Sequence, residues 1–255
     1  MNLKQRLQTR EPTLGTFVKT THYHNTEVLS RTALHVLCLD AEHAPFDRSD
    51  LDKCVLAARA SQKPVLVRIP DSESATILNT LDIGATGIVV PHVKTAEQIN
   101  DIIKYCYFGD GGRGYAGSSR FAEYTTSTIA DNLAKNRSQT CVIAQIEDLC
   151  ALDQLDAICQ VEHLDCLFIG TMDLTVALKA NSPKDASVER VITNIVETAR
   201  RHNVTLGMFV SDLNELPDWL NKGVSLFLLG SDHSFILSGA KQLSATFDAA
   251  QSTIA

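Results

Sequence analysis

Short apolar runs rich in β-branched residues recur along the chain. Between them lie longer stretches whose apolar positions return every three or four residues. The runs are LGTFVKT (14–20), HVLCLDAE (35–42), PVLVRIP (64–70), GIVVPHV (87–93), CVIAQIED (141–148), CLFIGTMD (166–173), TLGMFVSD (205–212) and SLFLLGSD (225–232). Each is nearly continuous in hydrophobicity, as a strand buried on both faces should be. The segments 49–61, 73–82, 95–106, 127–137, 150–160, 187–202, 213–221 and 234–251 read as helices. Thr95 with Glu97 opens one of them, and His202-Asn203 closes another after a basic last turn. Strict alternation implies parallel strands joined by right-handed crossovers. Eight such units in 255 residues predict an α/β protein: a (β/α)8 TIM barrel, with 1–255 as a single domain.

No linker or low-complexity tract interrupts the pattern. The one long irregular stretch is 107–126, YFGDGGRGYAGSSRFAEYTT, between strands four and five. A loop of that length inside a compact domain is expected to be a functional loop or lid. Its Gly112-Arg113-Gly114-Tyr115-Ala116-Gly117 formally matches a dinucleotide fingerprint. That motif must follow a strand, and here it follows a helix, so the nucleotide reading is rejected.

Ionisable residues gather where the strands end. Strand one ends near Lys19, strand two in Asp40, Glu42 and His43, strand three in Arg68 and strand four at His92. Strand five ends in Gln145 and Glu147, strand six in Asp173, strand seven in Asp212 and strand eight in Asp232. In a barrel these ends converge on one mouth, the face that carries active sites. Asp212 and Asp232 read equally well as caps of the following helices. Glu147, Arg68 and His43 do not. Glu147 and Asp173, on adjacent strands, would repel unless something neutral or positive lay between them. Two solutions are open: a hard divalent cation such as Mg2+ or Mn2+, or ion pairing with Arg68.

A net charge of −7 argues against nucleic acid and anionic membrane as partners. Seven cysteines, an odd number without C-x-x-C spacing, suit a reducing cytoplasm. The charged start MNLKQRLQTREPT is no signal peptide, and no run of about 18 apolar residues is present to span a bilayer.

LDAEHAPFD (39–47), PVLVRIP (64–70), TLDIGATGIVVPHV (80–93), AQIED (144–148) and CLFIGTMDL (166–174) together resemble the class II, metal-dependent HpcH/HpaI aldolases of the phosphoenolpyruvate/pyruvate barrel superfamily. The resemblance implies a (β/α)8 barrel forming a homo-oligomer, a hexamer or trimer of dimers, with the last helix (about 234–251) exchanged between subunits. It implies a divalent metal, Mg2+ or Mn2+ first and Co2+ or Zn2+ as alternatives, held by Glu147 and Asp173. The substrate would be a 2-oxo acid with an aldehyde or second acid. Its oxo and carboxylate oxygens would reach the metal beside Gln145, and the backbone of Gly170, Met172 and Asp173 would grip the carboxylate. Arg68 would stabilise the enolate oxygen. His43 would be the acid–base group, with Asp82 as its orienting partner, and Asp40 would support metal-bound water.

The chain also departs from that pattern. Phe108-Gly109 replaces a usual Pro-Pro, His92 stands where Met is usual, Thr171-Met172 replaces a frequent Pro-Ala, and TVALKANSP lacks the usual Leu-Gly turn. These changes bear on substrate identity, with Arg113, Tyr115 and Arg120 of the loop as candidates for choosing the second substrate. The expected reaction is cleavage of a 4-hydroxy-2-oxo acid to pyruvate and an aldehyde. A synthase or citrate-lyase-like enzyme would use the same enolate with another oxo acid or thioester. A lysine Schiff-base aldolase using Lys19 or Lys94, and a non-catalytic oxo-acid-binding protein, are the remaining readings.

Overall fold

A computed structural model describes residues 1–210 and 212–253. Eight parallel strands close into a barrel in the order β1-β2-β3-β4-β5-β6-β7-β8. They are β1 (Thr13–Val18), β2 (Val36–Asp40), β3 (Val65–Arg68), β4 (Gly87–Val90), β5 (Cys141–Ile146), β6 (Cys166–Ile169), β7 (Leu206–Met208) and β8 (Val224–Ser231). The predicted barrel is therefore observed, with each strand inside or overlapping its predicted run. The described α-helices are α1 (Leu3–Gln8), α2 (Tyr23–Ser30), α3 (Arg48–Ala60), α4 (Ser74–Asp82), α5 (Ala96–Cys106), α6 (Ile129–Gln139), α7 (Leu155–Cys159), α8 (Thr171–Ala177), α9 (Ala186–Arg201), α10 (Leu216–Asn221) and α11 (Asp232–Ser252).

Two apolar layers follow from the period-2 alternation of the strands. Val18, Leu37, Leu39, Val67, Val90, Val142 and Leu167 pack outward against the helices. Phe17, Cys38, Leu66, Val89, Ile143, Phe168 and Leu228 fill the interior. Leu3 and Leu7 of α1 join this inner cluster and close the N-terminal end of the barrel. Lys4, between them, is buried and bonds Asp165 (2.8 Å), Thr140 O (2.8 Å) and Tyr107 Oη (2.9 Å). Six cysteines are buried and Cys150 is exposed; none is paired. Among the described residues no helix is long and apolar enough to cross a membrane.

Three helices escaped the sequence reading: α1, α2 and α8. The last changes a site element. Strand six stops at Ile169, and the chain turns at once into α8, so Asp173 sits in a helical first turn rather than at a strand end.

The loop 107–126 is the larger correction. It joins the end of α5 to α6 and so lies at the N-terminal side of the barrel, away from the mouth of its own chain. Its Arg113 is buried between the rings of Phe108 (4.5 Å) and Phe121 (4.6 Å) and bonds Asp82 at 2.5 Å. Arg120 is tied to Asp52 (2.6 Å) and to Ile83 O (2.8 Å). Within one chain, then, Arg113 and Arg120 do not face a substrate at the mouth.

Candidate active site

The mouth is built by continuing the inward positions of the strands one step past the apolar layer. Asp40 and Arg68 are register partners on β2 and β3, directly above Cys38 and Leu66. On β5 the inward series Cys141, Ile143 runs on into Gln145 and Glu147.

Arg68 lies over the Phe17 ring (4.8 Å) and is 8% exposed. It faces Asp40 through two nitrogens, Nε at 3.0 Å and Nη2 at 2.8 Å, and Nε is also 3.2 Å from Glu42. Lys19 approaches the same carboxylate at 3.3 Å. Burial works against the Asp40 charge, but the hydrogen bond and charge of Arg68, the His43 N–H and the charge of Lys19 together outweigh it and hold the carboxyl below its ordinary range. Pairing of Arg68 with Glu147 or Asp173, one of the two solutions left open by the sequence, is not formed: the guanidinium is engaged by Asp40 and Glu42.

Glu147 is 3% exposed. One oxygen accepts the His92 backbone N–H (2.8 Å) and the other accepts the Gln145 amide. Burial pushes its carboxyl above the ordinary value; Gln145 and His92 pull back, and the charge of Asp173 adds to the rise. Gly170 makes room for it, because a Cβ there would lie 2.5 Å from Glu147 Cβ and 2.8 Å from its Oε2. The Gln145 Oε1 atom is buried without a hydrogen-bond partner.

A donor set thus exists in which Glu147 meets no guanidinium, while Glu42 turns one oxygen to Arg68 and the other toward His92. Glu42, His92 and Glu147 each offer one ligand atom, all within 4.8 Å of one another, and Asp173 is exposed on the adjoining turn. Carboxylates with one imidazole, beside an orphaned amide oxygen, fit a divalent cation. A model profile for the HpcH/HpaI aldolase/citrate lyase family matches residues 13–238. The chain belongs to that family.

Hydroxypyruvate/pyruvate aldolase from Paraburkholderia phytofirmans is 33% identical over 248 residues, covering 96% of this chain and 92% of that protein. A solved family structure from Burkholderia cenocepacia superposes with a TM-score of 0.90 at 27% identity, covering 96% and 98% of the two chains. A citrate synthase structure superposes with a TM-score of 0.85 at 26% identity, covering 99% and 98%. This family's barrel is therefore an enzyme scaffold, and its aldolases and lyases work on carbon–carbon bonds.

His43 is half exposed at the rim; its backbone N–H donates to Asp40 (3.2 Å) and its Nε2 is 3.6 Å from Glu42. Asp82 lies at the C-terminal end of α4, on the side of the barrel opposite the mouth, and is taken by Arg113. It does not orient His43 within one chain, because a helix that follows a strand returns to the strands' starting end. Asp212 caps the turn after β7 as expected. Asp232 instead accepts the backbone N–H groups of Lys19 and Thr20 (both 2.9 Å), locking β1 to β8, while Ser231 caps α11.

The sequence places Glu42 and His92 at the mouth without a role in the chemistry, and gives Asp148 none. Their signal was position: each lies within two residues of a strand's end on the mouth side. A groove of about 690 Å³ between α9 and α10, lined by Met208, Val210 and Trp219, carries none of the charged strand-end residues.

Proposed function

We propose that this protein is a metal-dependent aldolase that cleaves a 4-hydroxy-2-oxo acid to pyruvate and an aldehyde. The observation that carries this reading is Glu147: a buried carboxylate with a raised pKa, free of any guanidinium, with Asp173 and an open rim beside it. Glu147 and Asp173 would hold the cation, with Mg2+ or Mn2+ the first choices. When bound, it supplies Lewis-acid polarisation of the 2-oxo group. Gln145 would orient the same end of the substrate. The first-turn N–H groups of α8 lack intrahelical acceptors and would meet its carboxylate, since Leu174 N is the first to bond back, to Gly170 O (3.1 Å).

Arg68 would stabilise charge growing on the substrate oxygen, held in place by Asp40 from one side and Phe17 from below. His43, at the rim, would take the proton from the 4-hydroxyl group as the C–C bond breaks. The relative named hydroxypyruvate/pyruvate aldolase supports pyruvate as the oxo-acid fragment. The similarity to a citrate synthase supports a second reading, in which the same fragment attacks another oxo acid. Oligomerisation through α11 is supported by its exposed Phe235, Ile236, Leu237, Leu243 and Phe247.

The deciding assay measures pyruvate release from 4-hydroxy-2-oxo acids, before and after EDTA and after return of Mg2+ or Mn2+. A rate indifferent to chelation would overturn the proposal.

A further inference from the structure

His92 follows Pro91 at the end of β4 with φ of +54°, a left-handed conformation that non-glycine residues seldom adopt. The turn is fixed from two sides. Its N–H donates to Glu147 Oε1 at 2.8 Å, and its carbonyl accepts Gln98 Nε2 at 3.3 Å. The turn carries the imidazole over the Glu147 carboxylate, with Nδ1 3.3 Å from Glu147 Oε1 and 3.0 Å from Asp148 Oδ2, and Nε2 3.6 Å from Glu42 Oε1.

Two donors each about 2.1 Å from one ion, at angles between octahedral and tetrahedral, lie roughly 3.0–3.4 Å apart. The separation of Nδ1 from Glu147 Oε1 falls in that window, and an ion bound there would take the place of the proton that Nδ1 shares with Asp148 Oδ2 at 3.0 Å. The far nitrogen lies 3.6 Å from a second carboxylate, Glu42, on the side where metal-bound histidines commonly meet an orienting acceptor. Beside them the Gln145 Oε1 atom is buried and unpartnered.

We propose that His92 is a nitrogen ligand to the cation held by Glu147 and Asp173, giving a mixed oxygen–nitrogen site that prefers Mn2+, Co2+ or Zn2+ to Mg2+. The preference follows from ligand type: imidazole suits the transition metals and Zn2+, whereas Mg2+ favours oxygen and keeps its waters. The inference rests on the metal reading above.

The test loads the metal-stripped full-length protein with Mn2+ and records pulsed EPR for imidazole nitrogen coupling. Affinities for Zn2+, Co2+ and Mg2+ are measured alongside by competition with a chromophoric chelator. Two variants are compared with wild type: His92→Asn, which tolerates the left-handed turn, and His92→Met. Wild type is expected to show nitrogen coupling and both variants to lose it. Zn2+ and Co2+ affinity should fall by about 10- to 100-fold, and Mg2+ affinity by less than about threefold.

Mn2+ bound to wild type without nitrogen coupling would overturn the inference. So would an equal loss of Mg2+ and Zn2+ affinity, which assigns His92 as a mere counter-charge. Glu147→Ala separates the two levels. If Mn2+ still binds that variant as it binds wild type, or does not bind wild type at all, the metal reading itself fails.

Discussion

Asp40 and Arg68, neighbours across β2 and β3, meet through two parallel contacts of 3.0 and 2.8 Å, with the carboxylate fully buried. The pair closes the apolar interior and begins the polar mouth. The folded carboxyl is held below its ordinary pKa, so its stabilisation is complete above the unfolded value of about 3.9 and is lost as pH falls through the folded one. The Tm advantage of wild type over Asp40→Asn should therefore be full at pH 5 and shrink toward pH 3. A gap that stays constant across that range would rule out the charge as its source.

Arg68→Lys keeps the charge but not the fork that faces Asp40. An ammonium would leave the position in which the guanidinium would meet the substrate oxygen, and kcat/KM should fall by about 10²- to 10³-fold. Cation affinity, measured by calorimetry, should change far less than kcat/KM, because the ion pairs of Arg68 are with Asp40 and Glu42 and not with Glu147 or Asp173.

His43→Ala should slow turnover by a factor of about 10²–10⁴ while the cation remains bound. Pyruvate-release kinetics and a parallel binding titration check the two halves. Full activity in the variant would remove His43 from the mechanism.

Lys4 neutralises Asp165 inside the floor of the barrel, with both side chains about 5% exposed or less. Lys4→Ala should cost about 3–5 kcal/mol of stability by stranding a buried carboxylate. Lys4→Ala paired with Asp165→Asn should recover part of that loss. Urea denaturation of the single and double variants measures both.

Only Asp232 of α11 is buried in the single chain, and its large apolar side chains face outward. Truncation after Gly239 removes Leu243 and Phe247 and should shift the particle to smaller mass in light scattering. An unchanged mass would mean that the helix holds no copies together.

The barrel and its mouth were legible because both depend on local periodicity: where apolar runs stop, the next inward position is polar, as at Asp40, Arg68 and Glu147. The short helices α1, α2 and α8 were not legible. Each is six to eight residues long and draws its stability from packing rather than from pattern. That the loop 107–126 lies away from the mouth of its own chain also had a signal, since it follows α5 and so must begin at the floor. Asp82 and His43 stand apart within one chain for the same reason. Chain direction, not residue type, decided both.

Phe17, Cys38, Leu66, Ile143 and Phe168 fill the barrel below the mouth, with Leu3 and Leu7 beneath them, which makes the site a shallow cup with no corridor behind it. Traffic through such a vessel has one doorway. In the proposed cleavage the pyruvate half rests deeper, against Glu147, and the aldehyde half stands nearer the rim. The aldehyde must therefore depart first, and a fresh substrate molecule has to wait until the deeper half has followed it out.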